Sequence, residues 1–171
     1  MATDDGAWLR WAPSWRYQGN QVGQPLWPSV PTKPLSQIEI WANFAIDGVR
    51  LSYPTNSGPH GMTTIDVGRN DDGVSGKTVV IDLGNPITAV SIAVQEHYVA
   101  AVDFNFKDGT STGWIGKPEG GGSPQTISFP GRVLSSIWFA DRTTEFKGVG
   151  MVFGFQYEQT LQPLTETNGR Q

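Results

Sequence analysis

The sequence has no cysteine and only two histidines in its 171 residues. The first absence excludes disulfide bonds and thiolate metal sites, and two histidines cannot supply a three-histidine zinc site. Positive charge is also scarce: the net charge of −4 argues against nucleic-acid binding, which usually needs a basic surface. The chain length and the 37% apolar fraction predict one domain with a substantial core.

No window contains the roughly 18 uninterrupted apolar residues of a membrane-spanning helix. The opening stretch, MATDDGAWLRWAPSW, lacks the positively charged start and the apolar run of a secretory signal. The absence of cysteine fits a reducing compartment. We therefore expect a cytoplasmic protein, or one that is released without a classical signal peptide.

Sustained helical periodicity is missing, whereas strand patterns are frequent. The 21 glycines and 12 prolines suit a chain with many turns. Polar and apolar residues alternate in 49–53, 102–106 and 151–157, as in strands with one buried face. Further strand candidates occupy 78–84, 111–116 and 125–131. These patterns predict an all-β domain of about ten to twelve short antiparallel strands.

Three segments share one design. Residues 37–53, 88–106 and 135–155 each contain a short apolar strand, a polar loop and a longer alternating strand. The units begin with three isoleucines spaced about fifty residues apart, Ile38, Ile92 and Ile137. Internal repetition of this kind predicts a fold with threefold pseudosymmetry.

The two ends of the chain differ from the repeats. Residues 1–35 contain four of the seven tryptophans, Trp8, Trp11, Trp15 and Trp27. These either cover the ends of the β core or form an aromatic arm for a partner subunit, a sugar or a membrane surface. We predict a Trp/Pro-rich N-terminal arm at 1–35, packed on or extending from the core, a central domain at 36–157 and a polar tail at 158–171.

The segment IEIWANFAIDGVRLSY (38–53), followed by GPHG (58–61), resembles the opening repeat of jacalin-related lectins. VVIDLGNPITAVSIAV (79–94) and VLSSIWFADRTTEFKGVGMVFGF (133–155) are similar to later passages of that family. The resemblance covers about residues 36–157 and identifies the chain as a divergent member. It implies a β-prism of three antiparallel Greek-key sheets with pseudo-threefold symmetry.

The resemblance also implies a sugar site, which this chain matches only in part. In the family, a Gly-x-x-x-Asp loop of the last repeat binds sugar hydroxyls through its carboxylate. Here Asp141 replaces the glycine and Lys147 replaces the aspartate, with two more residues between them than the motif has. In the first unit Asp47 matches the aspartate, but Asn43 replaces the glycine, and the second unit has no matching aspartate.

Sugar recognition needs carboxylates or amides for hydrogen bonds and an aromatic face for the ring. The three inter-strand loops offer eleven candidate carbohydrate-binding residues: Asn43, Phe44, Asp47, Glu96, His97, Tyr98, Asp141, Arg142, Thr143, Glu145 and Lys147. The alternative is that Asp47 and Asp141 only satisfy turn backbones, and that the charges of the third loop serve solubility.

Other chemistries have weaker signals. GVSGKT (73–78) resembles half of a phosphate-binding loop, but Asp71 stands where a glycine is required and a strand, not a helix, follows. NDDG (70–73) lacks the helix–loop–helix context of an EF-hand, which leaves only a loose calcium site open. No Gly-x-Ser-x-Gly elbow occurs, and a glycosidase carboxylate pair would need a deep cleft. We expect no enzyme, no cofactor and no metal site.

The predicted function is that of a non-catalytic lectin, which recognises glycans through the inter-strand loops at one end of the β-prism. Single-site affinity would be weak, so we expect a homo-oligomer, joined through the N-terminal arm, that gains avidity as a hemagglutinin does. The alternative is a β-prism module for protein–protein contact or membrane targeting, for example beside a toxin, with a degenerate sugar site.

Overall fold

The computed structural model describes residues 6–11 (backbone), 33–42, 45–58, 60–68, 76–95, 99–120, 123–139 and 151–158. These residues form eleven β-strands and one short 3-10 helix, Pro118–Gly120. The strands are β1 Gly6–Trp11, β2 Gln37–Ala42, β3 Ile46–Pro54, β4 Met62–Gly68, β5 Gly76–Val80, β6 Ile87–Val94, β7 Val99–Phe106, β8 Ile115–Gly116, β9 Gln125–Ser128, β10 Arg132–Phe139 and β11 Met151–Tyr157.

The strands form three antiparallel sheets. Sheet I has the order β4-β3-β2-β5, and sheet II has the order β8-β7-β6-β9. Both are Greek keys, because three consecutive strands pair as neighbours and the fourth returns beside the first. Sheet III has the order β1-β11-β10. The predicted all-β fold of antiparallel Greek-key sheets is therefore confirmed.

Sheet III takes one strand from the opposite end of the chain. Gly6 of β1 lies across from Gln156 of β11, and Trp11 lies across from Val152. Strand β1 therefore holds the place beside β11 that β4 and β8 hold in the other two sheets. Six residues of the predicted N-terminal arm thus belong to a sheet. The side chains of its four tryptophans lie outside the described residues, so both interpretations of them stay open.

The threefold repeat is visible in matched core pairs. The isoleucines that begin the three units lie across from a residue of the second strand of the same unit, in the pairs Ile38–Leu51, Ile92–Val102 and Ile137–Phe153. All six side chains are at most 1% exposed. Because alternate residues of each strand point the same way, the apolar face of every sheet turns to one shared core. The predicted pseudo-threefold is therefore confirmed.

One buried hydrogen bond joins two of the sheets. Tyr53 near the end of β3 is fully buried, and its hydroxyl donates to the backbone carbonyl of Ser135 in β10 at 2.5 Å. Burial raises the pKa of the Tyr53 phenol, because the phenolate would lose its hydration in the core. The phenol therefore stays neutral and remains a donor.

Two strands were not predicted from the sequence. Strand β4 has four exposed residues, Met62, Thr63, Thr64 and Asp66, because it forms an edge of sheet I. Strand β1 lies in the tryptophan-rich segment, where alternation is weak. The candidate at 78–84 also ends earlier than predicted, because a turn begins after Ile81.

Candidate functional site: the two poles of the prism

Strands β2, β6 and β10 all begin at the same end of the prism. Leu35 just before β2, Ile87 at the start of β6 and Leu134 near the start of β10 line one pocket. Each strand runs away from this pocket for six to eight residues, at about 3.3 Å per residue. The ends of these strands that lead into the three inter-strand connections therefore lie at the opposite end. We call that end the loop pole and the pocket end the basal pole.

Asp47 is the one sequence-predicted site residue that the structure describes. It lies in β3, directly after the β2–β3 connection at the loop pole. The other ten lie outside the described residues: Asn43, Phe44, Glu96, His97, Tyr98, Asp141, Arg142, Thr143, Glu145 and Lys147. The strand ends that carry them meet at the loop pole, whereas the positions of their side chains stay a prediction.

Asp47 is the extra residue of a β-bulge. Trp41 lies across from Gly48 and Ala42 across from Ile46, so the register shifts by one residue at Asp47. Bulges re-aim a side chain relative to a regular strand and are common beside binding sites. The second unit has a bulge at the equivalent place, and its extra residue is Ala100. The first unit therefore carries a carboxylate where the second carries a methyl group.

An aromatic and charged cluster lies next to this bulge on the outward face of sheet I. Trp41 is only 9% exposed, and its indole covers Gly76 of β5 so closely that a Cβ there would lie 3.1 Å from Nε1. The Arg50 guanidinium lies 5.6 Å from the centre of the Trp41 ring. Because the Trp41 side chain is nearly buried and Arg50 lies beside its ring, the ring offers no open face for a sugar.

The charges of this cluster neutralise one another. Arg50 donates from Nε and Nη2 to the two carboxylate oxygens of Asp66, at 2.7 and 3.2 Å, and Glu39 lies 4.0 Å away. The hydrogen bonds from Arg50 lower the pKa of Asp66, and the bond with Asp66 raises the pKa of Arg50. The cluster is therefore a bidentate ion pair between two strands of sheet I, not a free anion or cation site.

The outward face of sheet II is polar and internally hydrogen-bonded. The Ser91 hydroxyl lies 3.0 Å from that of Thr126 and accepts from the Asn105 amide at 3.2 Å. Thr112 donates to the Asp103 carboxylate at 3.4 Å. These groups satisfy each other across neighbouring strands.

The basal pole carries the pocket, which sequence reasoning did not find. Its volume is about 220 Å³. It is lined by Pro34, Leu35, Ile81, Asp82, Leu83, Pro86, Ile87, Val133, Leu134 and Glu158. These residues come from four separate stretches of chain, namely the segment before β2, the segment from the end of β5 to the start of β6, the start of β10 and the residue after β11. Only the folded topology brings them together, so no local motif announces them.

Within the described ranges, no group of three or more histidine or acidic side chains is arranged to hold a metal ion. The same part of the chain contains no helix that is long and apolar enough to cross a membrane. The stretch Gly76-Lys77-Thr78, which resembles part of a phosphate loop, lies in strand β5, and the Lys77 amine donates to the Thr112 carbonyl at 3.3 Å.

No protein-family model matches the sequence, and no curated protein is similar to it at the level of sequence. Solved structures do match. A mannose-binding jacalin-related lectin from Ananas comosus is 15% identical with a TM-score of 0.59, over 89% of this chain and 98% of the lectin. Calystegia sepium agglutinin is 16% identical with a TM-score of 0.61, over 90% of this chain and 97% of the agglutinin.

A third match, PirB, is 15% identical with a TM-score of 0.60 over 80% of this chain, but the matched part is only 33% of PirB. The same arrangement of sheets thus makes up nearly the whole of the two lectin chains, but only part of the longer PirB chain. The three sheets, the register of their strands and these matches agree: the chain has the β-prism fold of the jacalin-related lectins, as its sequence resemblance predicted.

Proposed function

We propose that the protein is a non-catalytic lectin that binds glycans at the loop pole. The observation that carries this proposal is the position of Asp47. This carboxylate sits on a β-bulge at the loop pole, directly after an inter-strand connection. Carboxylates accept paired hydrogen bonds from neighbouring hydroxyls, which is the contact that a sugar requires.

The fold supports the same proposal. One structural neighbour is described as mannose-binding, and the chain covers 98% of that lectin. The candidates of the other two loops supply the remaining chemistry, an imidazole and a phenol in the second loop and charged groups in the third. Because Ala100 replaces the bulge carboxylate in the second unit, we expect the first loop to provide the stronger contact.

A glycan array with the purified protein tests the proposal. We expect saturable binding to at least one glycan, and an Asp47→Asn variant should lose at least tenfold in affinity. Asp66→Asn is the matched control, because it removes a carboxylate from the same sheet at a position already paired with Arg50. No binding by the wild-type protein to any glycan, or equal losses in the two variants, would refute a sugar site at Asp47.

A second candidate is a β-prism module for protein–protein contact or membrane targeting. The observation that favours it is the match to PirB, in which the corresponding part is one third of the chain. Liposome flotation and glycan binding separate the candidates, since a lectin binds free oligosaccharide in the absence of lipid.

Assembly and location belong to the same proposal. We propose a homo-oligomer joined through the N-terminal arm, in which several weak sites act together on a glycoconjugate. The protein would act in the cytoplasm or after release without a classical signal peptide. Size-exclusion chromatography with light scattering checks the assembly, and a monomer would leave avidity unexplained.

A further inference from the structure

The basal pocket is a preformed cavity that the proposed lectin function does not use. Its volume of about 220 Å³ is far above the roughly 10–15 Å³ that one bound water needs. Two described lining residues carry charge, Asp82 and Glu158, and both are acids. The remaining lining is aliphatic or proline. The pocket therefore suits a ligand that is mostly apolar and carries one positive charge.

The walls of the pocket are held by backbone hydrogen bonds. The Ile81 amide donates to the Ser36 carbonyl at 2.9 Å, which ties the end of β5 to the start of β2. The turn between β5 and β6 is closed by a bond from the Asn85 amide to the Asp82 carbonyl, also at 2.9 Å. A pocket framed in this way keeps its shape without a ligand.

The neighbouring turn between β7 and β8 fixes the same wall from outside. The Lys107 amide donates to the Pro86 carbonyl at 2.9 Å, and the Asp108 amide donates to the Asn85 side-chain oxygen at 3.0 Å. The Asp108 carboxylate is itself held by the hydroxyl and the amide of Thr110. Residues 82–86 are thus braced from sheet II.

The two acids differ in their partners. The Lys107 ammonium donates to both carboxylate oxygens of Glu158, at 3.0 and 3.2 Å. The Asp82 carboxylate has no hydrogen-bond or ion-pair partner among the described residues, and it neighbours Leu83, which is 54% exposed at the pocket. An apolar cavity beside an unpaired carboxylate has the charge complementarity for an organic cation.

We propose that the basal pocket binds a small free aliphatic ammonium ion, whose hydrocarbon chain lies among Leu35, Ile81 and Ile87 while its charge meets Asp82. Lys107 weakens the attraction of the pocket for a cation, because it neutralises the second acid, Glu158. The ligand enters at the pole opposite to Asp47, so this site does not depend on glycan binding.

The test uses the full-length, isotopically labelled protein and n-hexylammonium chloride, followed by backbone amide shifts in NMR. We expect saturable shifts at Ile81, Ile87 and Leu134 with a millimolar Kd. Removing one methylene from the probe should weaken binding by up to about fourfold, the factor for one buried CH₂. Hexanoate has the same chain with the opposite charge and should bind at least tenfold more weakly.

Two variants test the role of the charges. Asp82→Asn should weaken hexylammonium several-fold while leaving 1-hexanol unchanged, because only the ammonium uses the carboxylate. Lys107→Met should strengthen hexylammonium several-fold, because it frees Glu158 from its ion pair. Val80→Ser is the control. Val80 is an exposed aliphatic residue of β5 that does not line the pocket, so this substitution should leave the Kd of hexylammonium unchanged.

Several outcomes would overturn the proposal. The pocket does not bind such ligands if no probe gives saturable shifts at its lining residues. Recognition of a cation is refuted if hexanoate binds as well as hexylammonium, or if both charge variants leave the Kd of hexylammonium unchanged. Loss of glycan binding in Asp47→Asn has no bearing on these readouts, so the two proposals fail separately.

Discussion

The hydroxyl of Tyr53 reaches across the core and donates to the carbonyl of Ser135, 82 residues further along the chain. Both partners are buried. A Tyr53→Phe variant would keep the ring and leave this carbonyl unsatisfied inside the protein. We expect a loss of about 1–3 kcal/mol in the free energy of unfolding, measured by urea denaturation. A variant as stable as the wild type would mean that water replaces the bond.

The same phenol predicts how stability changes at high pH. Burial raises the pKa of folded Tyr53 above the ordinary value of about 10 that it has in the unfolded chain. The unfolded state therefore loses the proton first as pH rises. We expect full stability below about pH 10 and a progressive loss above it, measured by denaturation at several pH values. Tyr53→Phe should lose stability less steeply over the same alkaline range.

Gly116 should tolerate no side chain. Its φ is +105°, and a Cβ would meet the carbonyl oxygen of Ala100, which accepts from the Lys117 amide. Because strain and collision add, we expect Gly116→Ala to cost more than about 3 kcal/mol. Gly109→Ala is a control for φ alone, since Gly109 has a φ of +90° and open space, and it should cost about 1–2 kcal/mol.

Gly84→Ala completes this glycine series. Gly84 has open space around it and no left-handed backbone, so the substitution should be neutral or slightly stabilising. Thermal unfolding of the three variants should therefore rank Gly116→Ala as least stable and Gly84→Ala as most stable. Equal losses at Gly116 and Gly109 would show that the neighbouring strand moves to accept a methyl group.

The ion pair between Arg50 and Asp66 should matter little at neutral pH and not at all in acid. Its side chains are 35% and 60% exposed, so water and salt screen the attraction. The depressed pKa of folded Asp66 means that the contribution is present above about pH 4, the unfolded value, and is lost as pH falls through the folded value. Asp66→Asn should thus cost less than Tyr53→Phe at pH 7 and nothing at low pH. A larger cost at low pH would contradict this sign.

Deletion of residues 1–11 should damage sheet III. The deletion removes β1 and exposes the hydrogen-bonding edge of β11, whose inward residues Phe153 and Phe155 belong to the core. We expect lower stability and concentration-dependent association, measured by light scattering, because an unpaired strand edge recruits other chains. Deletion of residues 1–5 is the control and should leave both properties unchanged.

Inner strands with one buried face were predictable from the sequence, whereas the edge strands β1 and β4 were not. The alternation in 49–53 and 102–106 marks β3 and β7, because each is a long inner strand with a regular apolar face. β4 was missed because a strand with one free edge exposes threonines and Asp66. In β11 the burial of Val152 and Gly154 on the outward face departs from the alternation that the sequence suggested.

The candidate site also has a part that the sequence indicates and a part that only the structure reveals. The sequence pattern pointed to the inter-strand loops, because these polar loops follow directly from the repeated strand pairs, and sugar binding there stays a prediction. It could not reveal the bulge at Asp47, since a bulge is a relation between two strands and depends on register. The basal pocket was equally hidden, because its walls come from four separate stretches of chain that approach each other only after folding.

The pairing of β1 with β11 also sets an order of events for the growing chain. Gly6 must wait for Gln156 before it has a neighbour, whereas sheets I and II each arise from a single continuous segment. During synthesis, sheets I and II can therefore form before the chain is complete. Sheet III forms last, when β1 pairs with β11. Until β11 has been synthesised, β1 has no strand to pair with and part of the core is uncovered. Chaperone binding would be most useful during this interval.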